Sequence, residues 1–194
     1  TLRNRKHRPF KPFAVLYPNL EMAKEDVIIS EFESAALSGN VAPIVLCRQK
    51  EKIKSGICTD MIAPHLDKVG IMLPYSPLLQ LIASQFCKPL IATSANLSGS
   101  PIVYDDDQAL DLLWDIADLI LTYDREIVTP QDDSVWQYTE TGQRIILRRS
   151  RGMAPDYYPH YLGETSVSIL AMGADMKSAF GIHHHNKIFI SQYL

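Results

Sequence analysis

Short apolar runs bounded by proline and glycine punctuate this chain, and between them apolar positions recur at helical spacing. Pro12-Phe-Ala-Val-Leu-Tyr-Pro18 reads as a strand. Ser30 and Glu33 stand at capping-box spacing, which predicts a helix with Phe32, Ala35, Ala36 and Leu37 facing inward and Gly39 as its left-handed C-terminal residue. Pro43–Cys47 and Val69–Leu73 read as buried strands on either side of a polar, irregular stretch, 48–68. Ser76 followed by Pro77 is an N-cap with a first-turn proline, and Leu78, Leu79, Leu81, Ile82 and Phe86 give the helix it opens a broad apolar face.

The next run, Pro89–Ala92, leads straight into Thr93-Ser-Ala-Asn-Leu-Ser-Gly99. Asp105-Asp-Asp107 caps a helix carrying Ala109, Leu110, Leu112, Leu113 and Trp114, and Ala117–Leu121 is read as a further strand. Ser134–Thr139 and Arg144–Arg149 form a hairpin around Glu140-Thr141-Gly142. Strands alternating with helices predict a mixed α/β layer. Proline and tyrosine dominate 153–164, as in a packed linker, and a second unit opens near Val167 with strands at Ser168–Met172, Ser178–His183 and Lys187–Gln192. We therefore expect two units, 1–160 and 161–194.

Composition narrows the class. The 194 residues are 46% hydrophobic and 21% charged, the balance of a globular protein able to bury a core. A net charge of -3 means that attraction for an anion must come from local clusters. Cys47, Cys58 and Cys87 lack CxxC spacing, which fits three reduced, core-filling cysteines in a cytoplasmic protein. No apolar run reaches the roughly 20 residues that span a bilayer, so no membrane partner is expected. Thr1 opens the chain inside what reads as a helix end, as in a fragment of something longer.

Two segments carry the chemistry. Arg3-Asn-Arg-Lys-His-Arg-Pro-Phe-Lys11 holds five Lys/Arg in nine residues without an acid. Thr93–Gly99 offers hydroxyls and a carboxamide on a glycine-ended loop. Guanidinium and ammonium groups hold phosphate or carboxylate, and loop hydroxyls and amides add donors. Taken alone, each segment reads equally as a solvated basic turn or a plain Asn-Leu-Ser-Gly turn. For Asp132 and Asp133, turn formation and contact with ligand or magnesium both stand open. Three consecutive histidines, 183–185, cannot aim at one point from a strand, so they read as a hairpin end before Asn186, with no metal site. Met172 and Met176 read as core, and Trp114 and Trp136 as packing residues.

Leu2-Arg-x-Arg-Lys-x-Arg-Pro-x-Lys-Pro-Phe-Ala-Val15, Ala42–Leu46, Ile62-Ala-Pro64, Gly70–Pro74, Thr93–Gly99, Asp132–Val135 and Leu147-Arg-Arg-x-Arg-Gly-x-Ala-Pro155 occur here in one order. That series resembles the hydrogenase-maturation carbamoyltransferases of the HypF family. The resemblance implies a YrdC-like twisted mixed open sheet with helices for residues 1–160, followed by the first strands of a carbamoyl-transfer domain, with Leu170–Lys177 and Phe189–Gln192 matching its opening. It places the acylphosphatase and zinc-finger regions, the first strand of the YrdC-like domain and the metal-binding histidines outside this stretch, so no metal ligand carries over.

The implied reaction joins ATP, with magnesium, to a carbamoyl group derived from carbamoyl phosphate, giving carbamoyl adenylate and pyrophosphate. The carbamoyl then passes to the C-terminal cysteine of a partner maturation protein and becomes cyanide for a nickel-iron centre. The family's KxR and SxN pattern falls on Lys6, Arg8, Ser94 and Asn96. Lys6 and Arg8 are the expected catalytic pair, and Lys11, Thr93, Ser94, Asn96, Ser98, Asp133, Ser134, Arg148, Arg149 and Arg151 the expected ligand-binding set. For the three arginines a basic strand edge is the competing reading. Two other functions stay open: a double-stranded RNA-binding module, and threonylcarbamoyl-adenylate synthesis for tRNA modification.

Overall fold

The computed structural model describes residues 1–154, 157–158, 166–173 and 178–192. The expected boundary at 160/161, the last part of Leu170–Lys177 and Met176 lie outside them. A seven-stranded mixed sheet is built from β1 (Ala14–Leu16), β2 (Val27–Ile28), β3 (Ile44–Gln49), β4 (Lys68–Met72), β5 (Leu90–Ala92), β6 (Val135–Tyr138) and β7 (Arg144–Arg148). Its order is β5-β1-β4-β3-β6-β7, with β2 added to β3. β1 runs parallel to β4 and antiparallel to β5, and β3 runs parallel to β6. A second, four-stranded sheet joins β8 (Tyr157–Tyr158), β11 (Lys187–Ile190), β10 (Phe180–His184) and β9 (Ile169–Met172) in that order. The α/β reading is as expected, and β9, β10 and β11 fall where strands were expected, while β8 lies in the stretch read as a linker.

Alternation within the strands sets the core. Phe13, Val15 and Tyr17 share one face of β1 with Val45 and Cys47 of β3 and Val69 and Ile71 of β4. On that face pack α2 (Leu20–Asp26), α3 (Glu31–Ser38) and α4 (Thr59–Ile62), through Ala23, Ala36, Leu37 and Ile62. The α3 capping box forms as its spacing requires: the Ser30 hydroxyl accepts from the Glu33 amide, and the Glu33 carboxylate accepts from the Ser30 amide at 2.7 Å. Ser76 likewise caps α5 (Pro77–Phe86), and Asp105 caps α6 (Asp106–Leu112).

Several expectations are corrected. Phe32 and Ala35 face out, because α3 offers the core only its Ala36–Leu37 side. Phe32 instead stacks beside Tyr138 and lies over Gly142 of the β6–β7 turn. Gly39 is extended, not left-handed, and the positive φ falls on Ala42, whose amide bonds back to the Gly39 carbonyl. The broad face of α5 (Leu78, Leu81, Ile82, Phe86) is exposed, and only Ala83 is buried. Ala117–Leu121 forms no strand, since no described neighbour pairs with it, and Leu119 is 92% exposed. Trp114 and Met172 are on the surface and Trp136 is in the core. Of the cysteines only Cys47 fills the core. His183 and His184 end β10, and His185 and Asn186 take positive φ in the turn to β11, the hairpin expected. No helix among the described residues is long and apolar enough to cross a membrane.

One polar clamp crosses the core. Asp26, fully buried, accepts from the Tyr17 hydroxyl at 2.9 Å, the Ser55 hydroxyl, and the amides of Lys54 at 2.8 Å and Ser55 at 3.0 Å. Burial alone raises a carboxyl pKa, but these hydrogen bonds to the charged form prevail and hold Asp26 below the usual carboxylate range. The clamp ties the 50–57 loop to α2 and β1. Asp26→Ala is expected to cost about 3 kcal/mol in urea unfolding, because it strands several buried donors. With a folded pKa below the unfolded one, the clamp stabilises the fold above the unfolded carboxylate pKa and fades as pH falls through the folded one. Asp26→Asn should therefore flatten the acid limb of stability against pH, and an unchanged limb contradicts the assignment.

Candidate functional site

The cationic segment begins with α1 (Leu2–Arg5) and is closed by a left-handed residue that carries no glycine signal. His7 has φ 48°, its amide bonds to the Asn4 carbonyl at 3.1 Å, and the Arg8 amide reaches the Arg3 carbonyl at 3.0 Å. This is a Schellman closure with histidine in the glycine position. It places Lys6 at the C-cap and Arg8 two residues on.

Arg3 is the hub of the loop that follows. Its guanidinium donates to the carbonyls of Met61 (2.7 Å), Ile62 (2.9 Å), Arg8 (2.8 Å), Lys11 (3.1 Å) and Pro9 (3.3 Å). Arg3 and Arg8 both stack on the Phe13 ring, 4.7 and 4.6 Å from its centroid. Neither Arg3 nor Phe13 was a sequence candidate; the signal available was an aromatic two residues beyond Lys11 in an otherwise basic run.

The hydroxyl-rich loop meets this segment because the β1–β5 register, Ala14 opposite Ala92, brings Thr93 beside Phe13. Lys6 Nζ donates to Thr93 Oγ1 at 3.1 Å and to the Ser94 carbonyl at 2.6 Å, and Arg8 Nη1 donates to the same Thr93 Oγ1 at 3.2 Å. Ser94 Oγ donates to Asn96 Oδ1 at 2.7 Å, and the buried Asn96 donates through Nδ2 to the Ser100 carbonyl at 2.7 Å. Gly99, at φ 92°, turns the loop, and Ser98 is exposed beside it. Two segments 87 residues apart thus share one hydroxyl.

Their electrostatics favour an anion. Lys6 is buried, with its pKa lowered to about 8 by loss of water and then by the positive charges of Arg8 and Lys11. Arg8 is lowered by burial and then by the positive charges of Arg3 and Arg148.

The three late arginines divide. Arg148 donates to the Asp133 carbonyl at 2.7 Å and lies 3.4 Å from the Asp132 carboxylate. Arg149 donates to the Ile190 carbonyl at 2.8 Å, on the second sheet. Arg151 bonds the Asp133 carboxylate at 2.9 Å and the carbonyls of Val41 (3.1 Å) and Ala42 (2.7 Å), and lies 3.5 Å over the Tyr75 ring. Ser134, fully buried, donates to the Arg151 carbonyl and accepts from the Ser150 amide. Arg151, Asp133 and Ser134 are thus joined to one another and to the 41–42 turn, while Lys6, Arg8, Thr93, Ser94 and Asn96 are linked across the two loops. A separate cavity of about 450 Å³, lined by Pro18, Leu37, Asn40, Leu73 and Tyr75, lies past the other end of β1. Among the described residues no three His, Cys, Asp or Glu side chains are grouped to hold a metal.

The Sua5–YciO–YrdC family, described as "Telomere recombination", matches residues 1–150. Carbamoyltransferase HypF of Synechocystis sp. is 43% identical over the whole chain, which covers 24% of that protein, and the HypF of Rhizobium leguminosarum is 38% identical, 25% covered. The chain thus spans about a quarter of the curated relatives it matches. A full-length HypF crystal structure in a phosphate- and nucleotide-bound form superposes with TM-score 0.88 at 38% identity, over 99% of this chain and 30% of that one. Sua5 of P. abyssi complexed with L-threonine shares the fold at TM-score 0.63 and 18% identity, over 77% of this chain and 43% of that one.

An anion that pairs with protonated Lys6 should bind less tightly as pH rises through about 8, and inorganic pyrophosphate is the probe. Lys6→Met is expected to remove that step in calorimetric titrations between pH 6.5 and 9.5, and a step that persists assigns it elsewhere.

Proposed function

The chain belongs to the Sua5–YciO–YrdC family, whose HypF members it matches along its whole length, and on that premise we propose that it adenylates a carbamoyl group at the Lys6–Asn96 site. The supporting observation is the shared Thr93 hydroxyl, which brings two cations, a hydroxyl loop and a buried carboxamide to one place. The phosphate- and nucleotide-bound relative, alike over 99% of this chain, points to the same ligand class.

In this reading a carbamate oxygen attacks the α-phosphorus of ATP, the bond to the β-phosphate oxygen breaks, and carbamoyl adenylate and pyrophosphate result. Negative charge grows on the departing pyrophosphate, so fixed cations lower the barrier only if they stand there beforehand. Lys6 and Arg8 supply them, and Ser94 and Asn96 orient the phosphates or the carbamate. Magnesium enters with the ATP phosphates, which supply most of its ligands. The carbamoyl group then moves toward a partner's C-terminal cysteine and the cyanide ligands of a nickel-iron hydrogenase. Duplex RNA is the weaker reading, because Lys6 and Arg8 converge on the single Thr93 hydroxyl between two loops and do not line an open face.

Calorimetry with MgATP tests the site. Arg8→Ala and Asn96→Ala are each expected to weaken binding about tenfold or more, the value of a charge-assisted or buried hydrogen bond. Pyrophosphate exchange should depend on a carbamate source and ignore threonine. Affinity unchanged in both variants, or exchange that requires threonine, overturns the proposal.

A further inference from the structure

Arg8 is fixed at its backbone, along its side chain and on the face of its guanidinium. Arg3 holds the backbone from both directions: the Arg8 amide donates to the Arg3 carbonyl at 3.0 Å, and Arg3 Nη1 donates back to the Arg8 carbonyl at 2.8 Å. The side chain is held by the turn that follows, with Arg8 Nε donating to the Lys11 carbonyl at 3.1 Å and Nη2 to the Pro12 carbonyl. The guanidinium lies over Phe13, 4.6 Å from the ring centroid. Phe13 is itself buried, and its amide donates to the Ile62 carbonyl at 3.0 Å.

The two guanidiniums are used differently. Arg3 directs Nε and both terminal nitrogens at backbone carbonyls, those of Met61 and Ile62 in α4 and those of Arg8, Pro9 and Lys11. Residues 8–12 form no helix or strand, so these bonds are what shape them. Arg8 makes a single bond from each of its nitrogens, and Nη1 is the one that reaches the Thr93 hydroxyl beside Lys6. A guanidinium carries a second N–H on each terminal nitrogen, and among the described residues those of Arg8 have no acceptor.

We propose that Arg3, with Phe13, is a positioning residue for the anion site, which meets no ligand itself and presents the remaining N–H groups of Arg8 to phosphate or carboxylate oxygen. This rests on the nucleotide reading above. An arginine held in place before the ligand arrives gives up little freedom on binding. Position 3 needs arginine because a planar fork reaches acceptors along two edges, which the point charge of a lysine cannot do.

The test uses the whole chain, with MgATP titrations, thermal unfolding and side-chain NMR. Arg3→Lys keeps the charge and loses the fork, and it is expected to weaken MgATP about fivefold, a usual coupling between residues in contact. Phe13→Leu leaves every charge in place and an apolar group in the core, and it should weaken MgATP comparably; it carries the test if unfolding shows that Arg3→Lys does not fold. In an Arg8→Ala background neither change should add a loss, whereas a direct contact of Arg3 with the ligand would still register there. Wild-type affinity in the folded variants, or losses that add in the Arg8→Ala background, overturn the proposal. A wild type that fails to bind MgATP instead defeats the nucleotide reading, and the Arg8 Nε proton then decides. Bonded to the Lys11 carbonyl, it should exchange slowly with water in the wild type and as fast as that of exposed Arg125 in Arg3→Lys. Slow exchange retained in Arg3→Lys rejects the positioning role.

Discussion

Like charges held close together govern this structure. Arg3, Lys6 and Arg8 lie within six residues, and among the described residues no carboxylate pairs with any of them. Their hydrogen bonds go to backbone carbonyls and the Thr93 hydroxyl, with Phe13 between the two guanidiniums. Dipoles and a ring face satisfy the donors without neutralising the charge. A local excess of positive potential results, in a protein whose net charge is -3. Lys6, held low first by loss of water and then by Arg8 and Lys11, lies in that field. The fold's contribution is to hold the cations before the anion arrives.

Much of this was legible in the sequence because local chemistry dictated it. The capping box at Ser30, the cap and proline at Ser76-Pro77, and the β6–β7 turn need no tertiary partner to be recognised. The cation and hydroxyl segments were legible as types, and the β1–β5 register then brought them together. Phe32 and the face of α5 show where such reading ends. Helical periodicity reports that a face is apolar, not what covers it, and here a hairpin turn takes Phe32 while α5 keeps Leu81 and Phe86 in the open. Gly39 and His7 show the same for turns. Glycine favours a left-handed C-terminus, but the hydrogen bonds decide which residue adopts it, and His7 does so at φ 48°.

The arginines at 148, 149 and 151 make the point at single-residue scale. In sequence they form one basic run of equal members. In the fold, one bonds the Asp133 carbonyl beside the Asp132 carboxylate, the next grips the second sheet, and the third ties the 41–42 turn to Asp133 and Tyr75. Side-chain direction around a bulge separates them, and no composition or spacing encodes it.

The most direct test of the account is the position of a bound nucleotide. A crystal structure of the chain grown with MgATP should show the polyphosphate between Lys6, Arg8 and the Ser94–Asn96 loop, with the Lys6 ammonium turned from Thr93 toward phosphate oxygen. Polyphosphate seated instead in the Pro18–Tyr75 cavity past the far end of β1, with the Lys6–Thr93 bond intact, would contradict it.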